Sequence, residues 1–94
     1  MWLHSAAAVL AILLGIFLHI GGWQWCIILI CIAMVLALEI INTAIEHLAD
    51  SLHPGWDPQI GLVKDLAAAA VLVAAVISLI IGCWIFGPAL IAML

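Results

Sequence analysis

Five side chains suited to acid–base or metal chemistry share one short stretch: Glu39, Asn42, Thr43, Glu46 and Asp50. On a helix turning ~100° per residue, with Glu39 at zero, the other four fall in turn at roughly −60°, +40°, −20° and +20°. Ile41, Ile45 and Leu48 fall on the opposite side. The polar stripe climbs ~16 Å from Glu39 to Asp50 at ~1.5 Å per residue. A solvated helix end would account for Glu46 and Asp50. It does not account for Glu39, which follows a long apolar stretch and precedes Ile40 and Ile41. A carboxylate in such surroundings costs several kcal/mol unless it is paired, hydrated or protonated, which marks Glu39 as a candidate base or proton carrier. Lys64 and Asp65 follow after a short connection containing Pro54, Gly55 and Pro58. Snorkelling anchors at a membrane boundary would look the same. Folded back on the stripe, however, they complete a set of carboxylates, one amide and one cation. Hard oxygens suit Mg²⁺, and an ammonium suits phosphate oxygens. No Gly-rich phosphate loop is present, so a nucleotide must be held by side chains on helices.

The elements that must position these groups are apolar. The chain has 94 residues, of which 71% are hydrophobic and 6% charged, with a mean hydropathy of +1.55. An ordinary soluble domain carries about 25% charged residues. A chain this short cannot bury so much apolar surface within itself, so lipid must solvate most of it. Every Asp, Glu and Lys falls between positions 39 and 65. The pattern predicts one all-α membrane domain over 1–94, with spans at about 3–20, 24–49 and 64–86. Gly21-Gly22 is expected to end the first span in a tight turn, and Gly87-Pro88 to end the third. Trp2, Trp23, Trp25, Trp56 and Trp84 lie near these ends, where indoles settle at membrane interfaces. The lone Lys64 assigns the 50–65 connection to the cytoplasm, and with it the N-terminus. Ala67, Ala68, Ala69, Ala70, Ala74 and Ala75 allow close helix packing in lipid.

Other classes are excluded or weakened. A net charge of −4 with one cation rules out nucleic acid as a partner, since phosphate needs clustered cations. Cys26, Cys31 and Cys83 lie in apolar runs without metal-ligand spacing and read as packing residues. The first run lacks the basic leader of a signal sequence. His4, His19, His47 and His53 show no zinc-site spacing, and all four are left outside the expected site.

The segment ALEIINTAIEHLADSLHPGWDPQIGLVKDLAAAAVLVAAV resembles the signature of the prokaryotic diacylglycerol kinase and undecaprenol kinase family. The pattern is Glu-x-x-Asn-[Ser/Thr]-Ala-Ile-Glu-x-x-x-Asp, a loop, then Lys-Asp and a small-residue helix. Glu39, Asn42, Thr43, Ala44, Ile45, Glu46, Asp50, Lys64 and Asp65 match it in identity and spacing. The resemblance implies a homotrimeric membrane enzyme of the bacterial inner membrane with three transmembrane helices per protomer. Its sites lie between protomers at the cytoplasmic face, and it transfers the γ-phosphate of MgATP to a lipid hydroxyl. Carried over residue by residue, Glu39 resembles the family's catalytic base and Glu46 its Mg²⁺ ligand. Asn42, Asp50, Lys64 and Asp65 match further substrate- and nucleotide-binding residues. One departure stands out: family members usually begin with a basic amphipathic helix that adds another acidic metal ligand. Here Met1-Trp2-Leu3-His4 already resembles the start of the first span. The Asn-Thr-Ala-Ile-Glu form with a Pro-containing loop resembles the undecaprenol branch somewhat more than the diacylglycerol branch. Two alternatives stay open. One is a catalytically silent family member or assembly protein; the other is a proton-coupled transporter, which would use Glu39 but not the groups downstream of it.

Overall fold

A computed structural model describes residues 2–94 as three helices: α1 (Trp2–Leu18), α2 (Gly22–Leu52) and α3 (Pro58–Met93). They form a rod of 54 × 19 × 16 Å. α2 and α3 are the main packed pair, and α1 lies more lightly against both. The fold is all-α, as the composition requires.

The first turn is built differently from the expectation. α1 closes in a Schellman arrangement, with Ile20 N–H donating to Gly15 C=O at 3.3 Å and His19 N–H to Ile16 C=O at 3.4 Å. The left-handed residue this demands is His19, at φ 55°, and not a glycine. Histidine is among the side chains enriched in that region. Gly21 instead caps α2 in an extended conformation (φ −73°). Its N–H donates to the Gln24 side-chain oxygen at 2.8 Å, which satisfies one orphan donor of the helix start. Gly15 has a separate reason to lack a side chain. A Cβ there would lie 2.7 Å from the Trp25 ring and 3.1 Å from Ile20 Cδ1. Glycine therefore lets the indole lie flat on α1.

α2 ends with His53 N–H donating to Ala49 C=O at 2.9 Å. Pro54 follows closely and cannot extend the helix. α3 starts at Asp57, with Pro58 at its first position, where a missing N–H costs nothing. Lys64 and Asp65 are thus helical residues some way inside α3, not its first turn. At the other end, Gly87-Pro88 does not stop the helix, which runs on to Met93. Proline costs only the hydrogen bond to the Trp84 carbonyl, and in apolar surroundings no water competes for the rest of the backbone.

Few side chains are buried: Ile20, Ile28, Val35, Ala49, Val71, Ala74 and Ile85. On α3, Val71, Ala74 and Ile85 are buried and Ser78 and Ile81 half-buried, in alternating steps of three and four residues. On α2 the matching seam is Ile28, Ile32, Val35, Glu39, Asn42, Glu46 and Ala49. This 3.5-residue period is the coiled-coil pattern. The polar stripe therefore continues the packing seam. Elsewhere Leu13, Phe17, Trp23, Leu48, Leu72, Leu79 and Trp84 are exposed. An apolar surface on this scale requires lipid or partner chains to cover it.

Candidate active site

Each seam position that carries a polar group is half-buried, which follows from its place between packed apolar neighbours. Glu39 is well enclosed, its side chain 11% exposed. Its Oε1 meets Nδ1 of His4, in the first turn of α1. One helical turn beyond, Asn42 Nδ2 donates to Glu46 Oε1 at 3.2 Å, the i,i+4 pair expected on a helix face. Asn42 Oδ1 is buried and has no hydrogen-bond partner among the described residues. At the outer end, Lys64 Nζ donates to Asp50 Oδ1, so α3 does fold back on the acidic stripe. Thr43 and Asp65 are exposed, and Asp65 makes no hydrogen bond or ion pair among the described residues.

The expected site residues other than Asp65 therefore fall into three contacts, Glu39 with His4, Asn42 with Glu46, and Asp50 with Lys64, the first bringing in a histidine not expected in the site. Among the described residues, no group of three or more His, Cys, Asp or Glu side chains converges on a metal position. The oxygens of Glu46 and Asn42 nevertheless form a pair of hard donors one turn apart. Mg²⁺ characteristically takes one or two protein carboxylates and fills its remaining positions with phosphate and water. The donor set fits that ion.

His4 is the site residue that sequence reasoning omits. The signal was the register of the hairpin. Counting outwards from Ile20, His4 and Glu39 lie 16 and 19 residues away, so antiparallel helices bring them nearly level.

Above this pair, α1, α2 and α3 enclose an apolar groove of about 620 Å³, with His4 at one end and Ala7, Ala11, Val35, Ser78 and Gly82 among its lining. Small side chains on facing helices leave the space open.

Over residues 1–86 the chain matches the family described as prokaryotic diacylglycerol kinase. The chain belongs to that family. Among curated relatives of this kinase family, an undecaprenol kinase of Bacillus subtilis is 42% identical over 87 residues, covering 93% of this chain and 71% of the relative. A diacylglycerol kinase of Escherichia coli K12 is 28% identical over 80 residues, covering 85% of this chain and 66% of the relative. A diacylglycerol kinase of Synechocystis is 28% identical over 93 residues, spanning 98% of this chain and 53% of the relative. No solved structure matches the chain. All the residues from Glu39 to Asp65 that carry the resemblance lie inside the family match. Apolar helices suit a bacterial membrane kinase family, since lipid can solvate them, and here the charged groups are confined to positions 39–65. α2 and α3 are both long and apolar enough to cross a membrane, and α1 is a shorter apolar helix of 17 residues.

Proposed function

We propose that this chain transfers the γ-phosphate of ATP to the hydroxyl of a membrane lipid, undecaprenol before diacylglycerol. The observation that carries the reading is the order of groups along one seam. Glu39 lies level with the start of α1, Asn42 and Glu46 follow, and Lys64 meets Asp50 at the outer end. About 17 residues of apolar α2 precede Glu39, or ~26 Å at ~1.5 Å per residue, close to the ~30 Å of a hydrocarbon core. Glu39 would thus sit at the boundary where a lipid hydroxyl lies, and the later groups would reach into the water that holds ATP. The higher identity to the undecaprenol kinase relative (42% against 28%) supports undecaprenol.

Glu39 would orient the lipid hydroxyl and accept its proton. Glu46, with Asn42 beside it, would hold Mg²⁺, which when bound neutralises phosphate charge. Lys64 would exchange Asp50 for phosphate oxygens, and Asp50 and Asp65 would bind the nucleotide. Such transfer rests on positioning and charge neutralisation. The exposed apolar faces support a homotrimer with sites between protomers. Lys64 supports a cytoplasmic α2–α3 connection and N-terminus in an inner membrane, with α1 as a third span. The test is purified protein in bilayers with radiolabelled ATP and Mg²⁺, offered each lipid separately. Label in undecaprenol phosphate supports the reading. Label in neither lipid overturns it in favour of a silent family member.

A further inference from the structure

The contact between His4 and Glu39 joins the enclosed carboxylate to the surface. Glu39 is 11% exposed and His4 29% exposed, so the imidazole is the more open of the two. His4 also borders the apolar groove at the end next to Glu39. A base shielded from water faces a difficulty after each turnover: the proton it has taken must leave before it can act again. An imidazole can accept a proton at one nitrogen while releasing another from its second nitrogen, which makes it a natural relay. Further along α2, Asn42 pairs with Glu46, and Asp50 pairs with Lys64 of α3.

We propose that His4 is the positioning and proton-exit residue for Glu39, an inference that rests on the lipid-kinase reading. The lipid hydroxyl oxygen forms a bond to the γ-phosphorus as the bond from that phosphorus to the leaving oxygen of ADP breaks. The hydroxyl proton passes to the Glu39 carboxylate and then to Nδ1 of a neutral imidazole carrying its hydrogen on Nε2. Nε2 releases that hydrogen to water, and the new Nδ1–H faces the regenerated carboxylate. One proton leaves per phosphate transferred, and exchange with water resets the tautomer. With its hydrogen on Nδ1 the imidazole donates to the carboxylate and holds it in one orientation, and exchange with water frees Nδ1 to accept the next proton.

The test compares wild type, His4→Ala and His4→Gln in bilayers for kcat, for KM of ATP and for response to added imidazole. His4→Gln retains hydrogen bonding but cannot relay. The expected result is kcat lowered roughly 10- to 100-fold in both variants, below the ~10²–10⁴ that general-base catalysis itself supplies, with KM for ATP nearly unchanged. Free imidazole should restore part of the His4→Ala rate, a recovery that repair of packing would not give. Wild-type kcat in His4→Gln overturns the relay while leaving the kinase reading intact. So does a loss confined to KM, or an absence of imidazole rescue. A wild type that phosphorylates neither lipid overturns the kinase reading and the relay with it.

Discussion

Asn42 Nδ2 donates to Glu46 Oε1 at 3.2 Å, which ties an amide to a carboxylate on the seam where α2 packs. The bond engages one oxygen of the Glu46 carboxylate, the residue proposed to hold Mg²⁺. Asn42 Oδ1 is buried and has no hydrogen-bond partner among the described residues. Glu46→Gln keeps the shape and removes the charge that attracts Mg²⁺. We expect phosphorylation to fall by about two orders of magnitude or more, in the range of a lost group that stabilises transferred charge. The remaining activity should respond weakly to Mg²⁺ concentration. A metal titration of both proteins checks this, and an unchanged titration curve would leave Glu46 as a seam residue that only pairs with Asn42.

Assembly is the second expectation. Leu13, Phe17, Leu72, Leu79 and Trp84 are exposed on a single chain, and the seam carrying Glu39 and Asn42 is only half-covered. Polar groups facing hydrocarbon are costly, so neighbouring chains should cover the seam. Cross-linking in mild detergent is expected to give a trimer. Recovery of monomer alone at every detergent concentration counts against it.

Packing gives a third, independent of catalysis. Gly15→Ala places a methyl group where the Trp25 ring lies, with the nearest ring carbon 2.7 Å away. The indole must move, and overpacking of this kind costs about 1–3 kcal/mol. The midpoint of thermal unfolding in detergent should fall, and Gly15→Ala combined with Trp25→Phe should recover part of the loss. Gly82→Ala is the control, because its added Cβ meets nothing within 4 Å.

How far these features could be read beforehand depends on the range of the interaction. The stripe from Glu39 to Asp50 was legible because helical periodicity is local, and Asp50–Lys64 because a short Pro-containing connection leaves little freedom. His4 was not legible by motif: its partner lies 35 residues away, and only the hairpin register brings the two together. The turn at His19 escaped because two adjacent glycines offered an easier left-handed residue than a histidine. Gly87-Pro88 misled in the same way. A Gly-Pro pair that would end a helix in water loses one hydrogen bond here, and the apolar surroundings hold the rest of α3 helical to Met93.

Glu39 carries the mechanism, so its substitution is the sharpest test. Glu39→Gln keeps the volume and an oxygen able to accept a hydrogen bond from His4, but it cannot take the lipid proton. General-base catalysis is worth ~10²–10⁴-fold, and the phosphorylation rate should fall by about that factor. Nucleotide affinity should barely move, because Glu46 lies seven residues on, ~10 Å along the axis at ~1.5 Å per residue. ATP binding and lipid phosphorylation measured on the same preparation separate the possibilities. Loss of the rate alone identifies the base. Loss of both identifies a residue that holds the seam together, as its place between Val35 and Asn42 would also allow. Retention of both removes Glu39 from the reaction and leaves the His4 contact as packing.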